Sequence, residues 1–284
     1  SNLGIQLRLT RQVFGHGYCV VTFIELSLFL IVYSLVILLL LTTFGNIERN
    51  PGPSTQSNKM SFGVWNIDSL LARDGSKKAM IEALDSCHNF DIFGICESYL
   101  TNTTSESDLT ISGFAETPLR ADCKEILTRP RGGVCLYYKE HLPIIERNDL
   151  ALTDETIVVE IKLKTKKVFL VLSYRPPSKN TVGEMASYCS KLKDTIDKID
   201  KEKPHLVILT GDFNARSPLF FGEESEETTP GKKLSDFMLL SCLEQLINEP
   251  THFPRGDIET CINVTFKYSI SSSRIVEPIC IYSM

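Results

Sequence analysis

The sequence has no pair of cysteines at C-x-x-C spacing, no histidines spaced to complete a zinc site and no internal repeat. Its nine cysteines are odd in number and scattered. They read as reduced thiols of a reducing compartment, which excludes a disulfide scaffold. There is no basic excess either, since 30 Lys and Arg stand against 35 Asp and Glu for a net charge of −5. Bulk charge therefore does not drive binding to nucleic acid, and contact with a polyanion has to rest on local basic residues and a metal ion. What the chain has in quantity is apolar residues, 43% of 284, enough for one large domain or one domain with an appendage.

One stretch organises the rest. Leu206-Val207-Ile208-Leu209-Thr210 is a short apolar run that ends in Gly211-Asp212-Phe213-Asn214. Such a run, preceded by a helical pattern and followed by a turn, reads as a buried strand. Side chains two apart on an extended chain face the same way, so Asp212 and Asn214 look into one space. A carboxylate can accept a proton or hold a metal, and a carboxamide can donate a hydrogen bond to developing charge. The plain alternative is an Asx turn after a strand.

Two further strand ends carry polar groups of the same kind. Residues 62–67 read as a strand with Asn66 near its end and Asp68 just beyond, and residues 91–97 read as a strand finishing on Glu97. A carboxylate at a strand end is ordinarily just solvated, but three such ends in one chain make a constellation. Oxygen ligands with few neutral nitrogens suit Mg²⁺ (or Mn²⁺), which binds through one or two carboxylates, water and substrate phosphate. Strands are also expected over 132–139, 157–163, 167–174 and 260–266, and helices over 77–87, 183–201 and 232–243. This order predicts an α/β core of two sheets with helices outside.

The first sixty residues read differently. Arg8 and Arg11 precede an apolar block over 19–44, whose densest part, 26–41, carries no charge. A basic start and such a block predict a signal or transmembrane-like segment over 1–44, an apolar helix outside the domain that gives possible membrane contact through 19–44. A buried core helix is the alternative. Asn50-Pro51-Gly52-Pro53 then stops any helix, and 54–60 has the Ser-, Asn- and Gln-rich composition of a linker.

Two resemblances follow from these motifs. Residues 45–53, ending Asn46-Ile47-Glu48-Arg49-Asn50-Pro51-Gly52-Pro53, resemble a 2A-type ribosome-skipping peptide, with Asn46 in place of the usual Asp. The resemblance implies that Gly52 and Pro53 are never joined and that two products are released. Trp65-Asn66-Ile67-Asp68, Ile95-Cys96-Glu97-Ser98, Arg131-Gly132-Gly133-Val134, Ser173-Tyr174-Arg175-Pro176-Pro177, Gly211-Asp212-Phe213-Asn214 and Glu249-Pro250-Thr251-His252 resemble, in that order, the endonuclease/exonuclease/phosphatase superfamily. The nearest likeness is to the apurinic-type endonuclease domain of non-LTR (LINE-type) retrotransposons, covering about 61–284.

That likeness implies a four-layer α/β sandwich with its site at the top of two sheets. It implies a metal held by Glu97, with Asp68 and Asn66 in support, a phosphate contact from Tyr174, water activation by Asp212 and transition-state support from Asn214. Thr251 and Arg175 fall at substrate-side positions, the partner implied is a target-site DNA duplex, and the product is a nick that primes reverse transcription. The departures predict impairment. Asn263 stands where the family carries an Asp, and Ile281-Tyr282 stand where it carries Asp-His, so the domain is expected to be C-terminally incomplete. A neutral Asn cannot balance a histidine's charge, and a Tyr cannot replace an imidazole at neutral pH. The alternatives are a catalytically dead membrane-tethered or secreted binding module, and a phosphatase or phosphodiesterase of the same superfamily. Residues 53–284 are expected in the nucleus or cytoplasm if skipping occurs, and at a membrane or in the secretory pathway if the chain stays joined.

Overall fold

The computed structural model describes residues 60–72, 75–123, 131–163, 166–177, 181–221, 227–246, 263–269 and 276–278, the last two stretches as backbone alone. The apolar stretch, the skipping motif, Thr251, Ile281 and Tyr282 lie outside the described residues. Among the described residues no helix is long and apolar enough to cross a membrane.

The elements in chain order are β1 (Met60–Asn66), α1 (Ser76–His88), β2 (Ile92–Cys96), β3 (Leu119–Ala121), β4 (Val134–Tyr138), β5 (Ile144–Glu146), β6 (Thr156–Leu163), β7 (Lys166–Tyr174), α2 (Val182–Lys201), β8 (Leu206–Asp212), α3 (Pro218–Phe221), α4 (Thr229–Leu240), β9 (Glu244–Gln245), β10 (Asn263–Ser269) and β11 (Val276–Pro278). They form two mixed sheets, ordered β11-β1-β2-β4-β3 and β5-β6-β7-β8-β10-β9.

The strands read as continuous apolar runs because both of their faces are buried. In β7, Val168, Leu170, Leu172 and Tyr174 enter the core between the sheets, while Phe169 and Val171 enter a second core. That second core is completed by Met185, Leu192 and Ile196 of α2 and by Leu234, Phe237 and Met238 of α4. On the other sheet, Phe62, Val64 and Ile92 point to the shared core, while Trp65, Phe93 and Ile95 point outward to Ile81 of α1. Helices therefore cover the outer face of each sheet, and alternation along every strand decides which side chains look into the seam.

Parity then places the polar ends. Asn66 follows Phe62 and Val64, Tyr174 follows Leu170 and Leu172, and Asp212 follows Leu206 and Ile208, all on inter-sheet faces. β1 runs parallel to β2 with Asn66 opposite Cys96, and β7 runs parallel to β8 with Tyr174 opposite Asp212. Each polar end is thus at a C-terminal strand edge. Gly211 is required there, since at φ 138° a Cβ would lie 1.9 Å from the carbonyl oxygen of Ser173.

Several boundaries differ from the expected ones. The strand expected from 132 begins at Val134, because Gly132 and Gly133 have φ of 90° and 77° and turn the chain out of the sheet. The helix expected over 232–243 is α4, shifted toward its start by Thr228, whose side chain caps Gly231 N–H, with Pro230 in the first turn. α2 begins on a capping box of Thr181 and Glu184. The strand expected over 260–266 is β10, and it is not the last, since β11 pairs in parallel with β1. The short strands β3, β5, β9 and β11 carry too few residues for alternation to register.

Candidate active site

β1 and β2 end side by side, and the chain after each is folded back on the other. Ser69 N–H donates to Glu97 O at 2.8 Å and Leu70 N–H to Ser98 O at 3.0 Å. Asp68 and Ser69 have φ of 48° and 81°, and Lys77 of α1 donates to the carbonyls of Ile67 and Asp68 to hold this turn. Glu97, one residue past Cys96, would face outward on a continuing strand. Its φ of 54° turns it instead toward the seam.

There the side chains meet. Asn66 Nδ2 donates to Glu97 Oε1 at 3.0 Å and to Asp212 Oδ2 at 2.6 Å. The Tyr174 hydroxyl donates to Glu97 Oε1 at 2.9 Å. Asn214 N–H donates to Asp212 Oδ1 at 2.9 Å, and Asn214 Nδ2 donates to the Arg175 carbonyl at 2.9 Å. Asn214 has φ 46°, a conformation Asn tolerates better than most residues. Asp68 is exposed at the rim, with its N–H 3.3 Å from Asn66 Oδ1. The structure thus brings together Asn66, Glu97, Tyr174, Asp212 and Asn214, with Asp68 beside them.

The electrostatics follow from burial. Asp212 is 0% exposed. Burial pushes its carboxyl up to about 6, helped by the charge of Glu97 and opposed by the bonds from Asn214 and Asn66. Burial, then the neighbouring Glu97, raises the Tyr174 phenol well above its ordinary value, so it stays a donor. The Cys96 thiol is likewise raised, by burial first and by Asp212 second.

Arg175 has a different place from the substrate-side one that sequence implied. It is 1% exposed, and its guanidinium donates from Nε to the Phe213 carbonyl at 2.6 Å and from Nη2 to the Asn214 carbonyl at 2.5 Å. A buried planar cation spent on two successive carbonyls shapes the loop that carries Asn214. Asn263 lies directly opposite Asp212 in the antiparallel register of β10 and β8.

Two residues not singled out from sequence belong to this region. The Tyr99 hydroxyl donates to Glu97 Oε2 at 2.9 Å. Glu155 Oε1 accepts from Gly133 N–H at 3.0 Å, while its backbone carbonyl accepts from Tyr174 N–H at 2.9 Å. Gly132 has to be glycine for this, since a Cβ would lie 2.1 Å from Glu155 Oε1. Tyr174 and Arg175 also form one wall of a cavity of about 360 Å³ shared with Glu155, Tyr188 and Lys191.

A family model described as endonuclease-reverse transcriptase matches residues 168–277, less than half of the chain. The structure is similar to the endonuclease domain of TRAS1, a telomere-specific non-LTR retrotransposon, with TM-score 0.52 and 22% identity over 72% of this chain and 82% of that one. The domain has the endonuclease/exonuclease/phosphatase fold. The AP endonuclease LMAP from Leishmania major shares it, with TM-score 0.58 and 12% identity over 72% of this chain and 77% of that one. So does an AP endonuclease from Archaeoglobus fulgidus, with TM-score 0.50 and 11% identity over 72% and 84%. The curated proteins gave no match. Within this fold the polar cluster occupies the C-terminal edges of β1, β2, β7 and β8, where the two sheets meet.

Proposed function

We propose that the domain is a phosphodiester hydrolase of the retroelement endonuclease type, acting on duplex DNA with Mg²⁺ (or Mn²⁺), and that this copy is impaired. The observation that carries the reading is Asn66, which donates to Glu97 and Asp212 together and so joins the carboxylates of two sheets at one point. Asp212 accepts a proton from the attacking water, with a carboxyl near 6 that is mostly ionised at neutral pH and still a usable base. Asn214 is held by Asp212 and Arg175, which leaves its second amide hydrogen for charge developing on the phosphate. Tyr174 stays protonated and offers a hydrogen bond on the same side.

The donor set fits a hard cation. Glu97 and Asp68 would hold it through oxygen, and Cys96 stays a thiol that does not compete. Among the described residues no group of three or more His, Cys, Asp and Glu could hold a metal ion. When bound, the cation supplies positive charge to the scissile phosphate and the leaving oxygen.

Impairment rests on Asn263, which stands in register with Asp212 where the resemblance calls for an Asp, and on Ile281 and Tyr282 in place of Asp-His. Losing such an acid-base group costs roughly two to four powers of ten in rate. The test is nicking of supercoiled plasmid by the purified chain with Mg²⁺, with EDTA, and with Asp212→Ala. Slow Mg²⁺-dependent nicking that EDTA and Asp212→Ala both abolish is expected. Nicking that survives Asp212→Ala would sink the reading.

A further inference from the structure

Glu97 accepts hydrogen bonds unevenly. Its Oε1 takes two, from Asn66 Nδ2 at 3.0 Å and from the Tyr174 hydroxyl at 2.9 Å, which fills both lone pairs. Its Oε2 takes one among the described residues, from the Tyr99 hydroxyl at 2.9 Å. Among the described residues the second lone pair of Oε2 has no donor.

The backbone has been turned to put Tyr99 there. Glu97 has φ 54° and Tyr99 φ 56°, left-handed conformations that are unfavourable for residues with a Cβ. The strained pair is held by Ser98 N–H on the Gly133 carbonyl at 3.2 Å and Tyr99 N–H on the Gly132 carbonyl at 2.9 Å. Those glycines are in turn held by Glu155 through Gly133 N–H. Without the double turn, residues 97 and 99 would leave the strand edge along its outer face.

We propose that Tyr99 is a positioning residue for the divalent cation, its hydroxyl fixing the Glu97 carboxylate so that Oε2 is held toward the ion. The inference rests on the cation reading above. Removing the hydroxyl leaves Glu97 held at Oε1 alone, with nothing fixing the direction of Oε2 among the described residues. Groups that orient a metal ligand in this way change affinity by roughly 10- to 100-fold when lost.

The experiment is calorimetric titration of the full chain with MnCl₂ and with MgCl₂, for the parent, Tyr99→Phe and Glu97→Gln, alongside thermal unfolding without metal. Tyr99→Phe keeps the ring, so the expected result is Mn²⁺ affinity at least about tenfold weaker, with a metal-free midpoint close to the parent's. Glu97→Gln is expected to lose binding. Tyr99→Phe binding Mn²⁺ as tightly as the parent overturns the inference while leaving the cation site standing. Weaker binding accompanied by a collapsed metal-free midpoint assigns the loss to folding and overturns it as well. A parent that shows no saturable Mn²⁺ binding removes the cation reading itself, and this inference with it.

Discussion

Asn66 donates to Asp212 at 2.6 Å across 146 positions of chain, tying the end of β1 in one sheet to the end of β8 in the other. Neither strand is long, and each ends at the seam with a side chain of the parity that points inward. The bond therefore does two things at once. It closes the sandwich at its edge, and it keeps a buried carboxylate ionisable.

Asn66→Ala separates these roles. Hydrogen bonds to charged groups contribute about 1.5–3 kcal/mol each, so thermal unfolding should show a midpoint several degrees lower. With the donor gone, Glu97 and Asp212 face each other unscreened, and the Asp212 carboxyl rises further. The acidic limb of the pH–rate profile should move to higher pH. An unchanged limb would mean that Asn66 is structural only.

The buried Asp212 makes stability depend on pH in a defined sense. Its carboxyl is raised from 3.8 to about 6 by burial, so between those values the native state holds a proton that the unfolded chain has lost. Unfolding free energy therefore falls as pH rises through that window, by on the order of 3 kcal/mol from this group, and stays lower above it. Denaturant melts from pH 4 to 7 measure this directly, and the contribution should vanish in Asp212→Ala. Activity runs the opposite way, rising through about 6 as the base ionises.

Arg175→Lys should act on stability first. A lysine cannot donate in a fork to both the Phe213 and Asn214 carbonyls, which now accept at 2.6 and 2.5 Å. Leaving buried carbonyls without their donor costs about 1–3 kcal/mol apiece. The midpoint should fall and kcat with it, as Asn214 loses its place, while the KM for DNA changes little. A raised KM at an unchanged midpoint would restore a substrate-side role for Arg175.

The strand ends carrying Asn66, Glu97 and Asp212 were legible because short apolar runs mark buried strands, while Tyr174 came from the family resemblance. The face each end takes was not legible, since a strand apolar at every position carries no alternation. Glu97 was legible as a strand-end carboxylate, but its direction was not, since it depends on a left-handed turn that Glu rarely adopts. Tyr99 was missed for the same reason, because alternation past Cys96 would have sent it outward. Arg175 was placed on the substrate side by the family resemblance alone, and nothing local in the sequence shows that two carbonyls 38 and 39 positions away await it. The two-residue strand β9 has no periodic signal at all, since its pairing with β10 is decided by tertiary contact.

The most direct measurement of the account is plasmid nicking by a chain carrying Asn263→Asp, Ile281→Asp and Tyr282→His, beside the native chain and the same triple variant with Asp212→Ala. Asn263 already stands in register with Asp212, so the account predicts that the triple variant nicks at least about a hundredfold faster than the native chain. It also predicts that Asp212→Ala abolishes the gain. A folded triple variant no faster than the native chain, or one whose nicking is indifferent to Asp212, would contradict it.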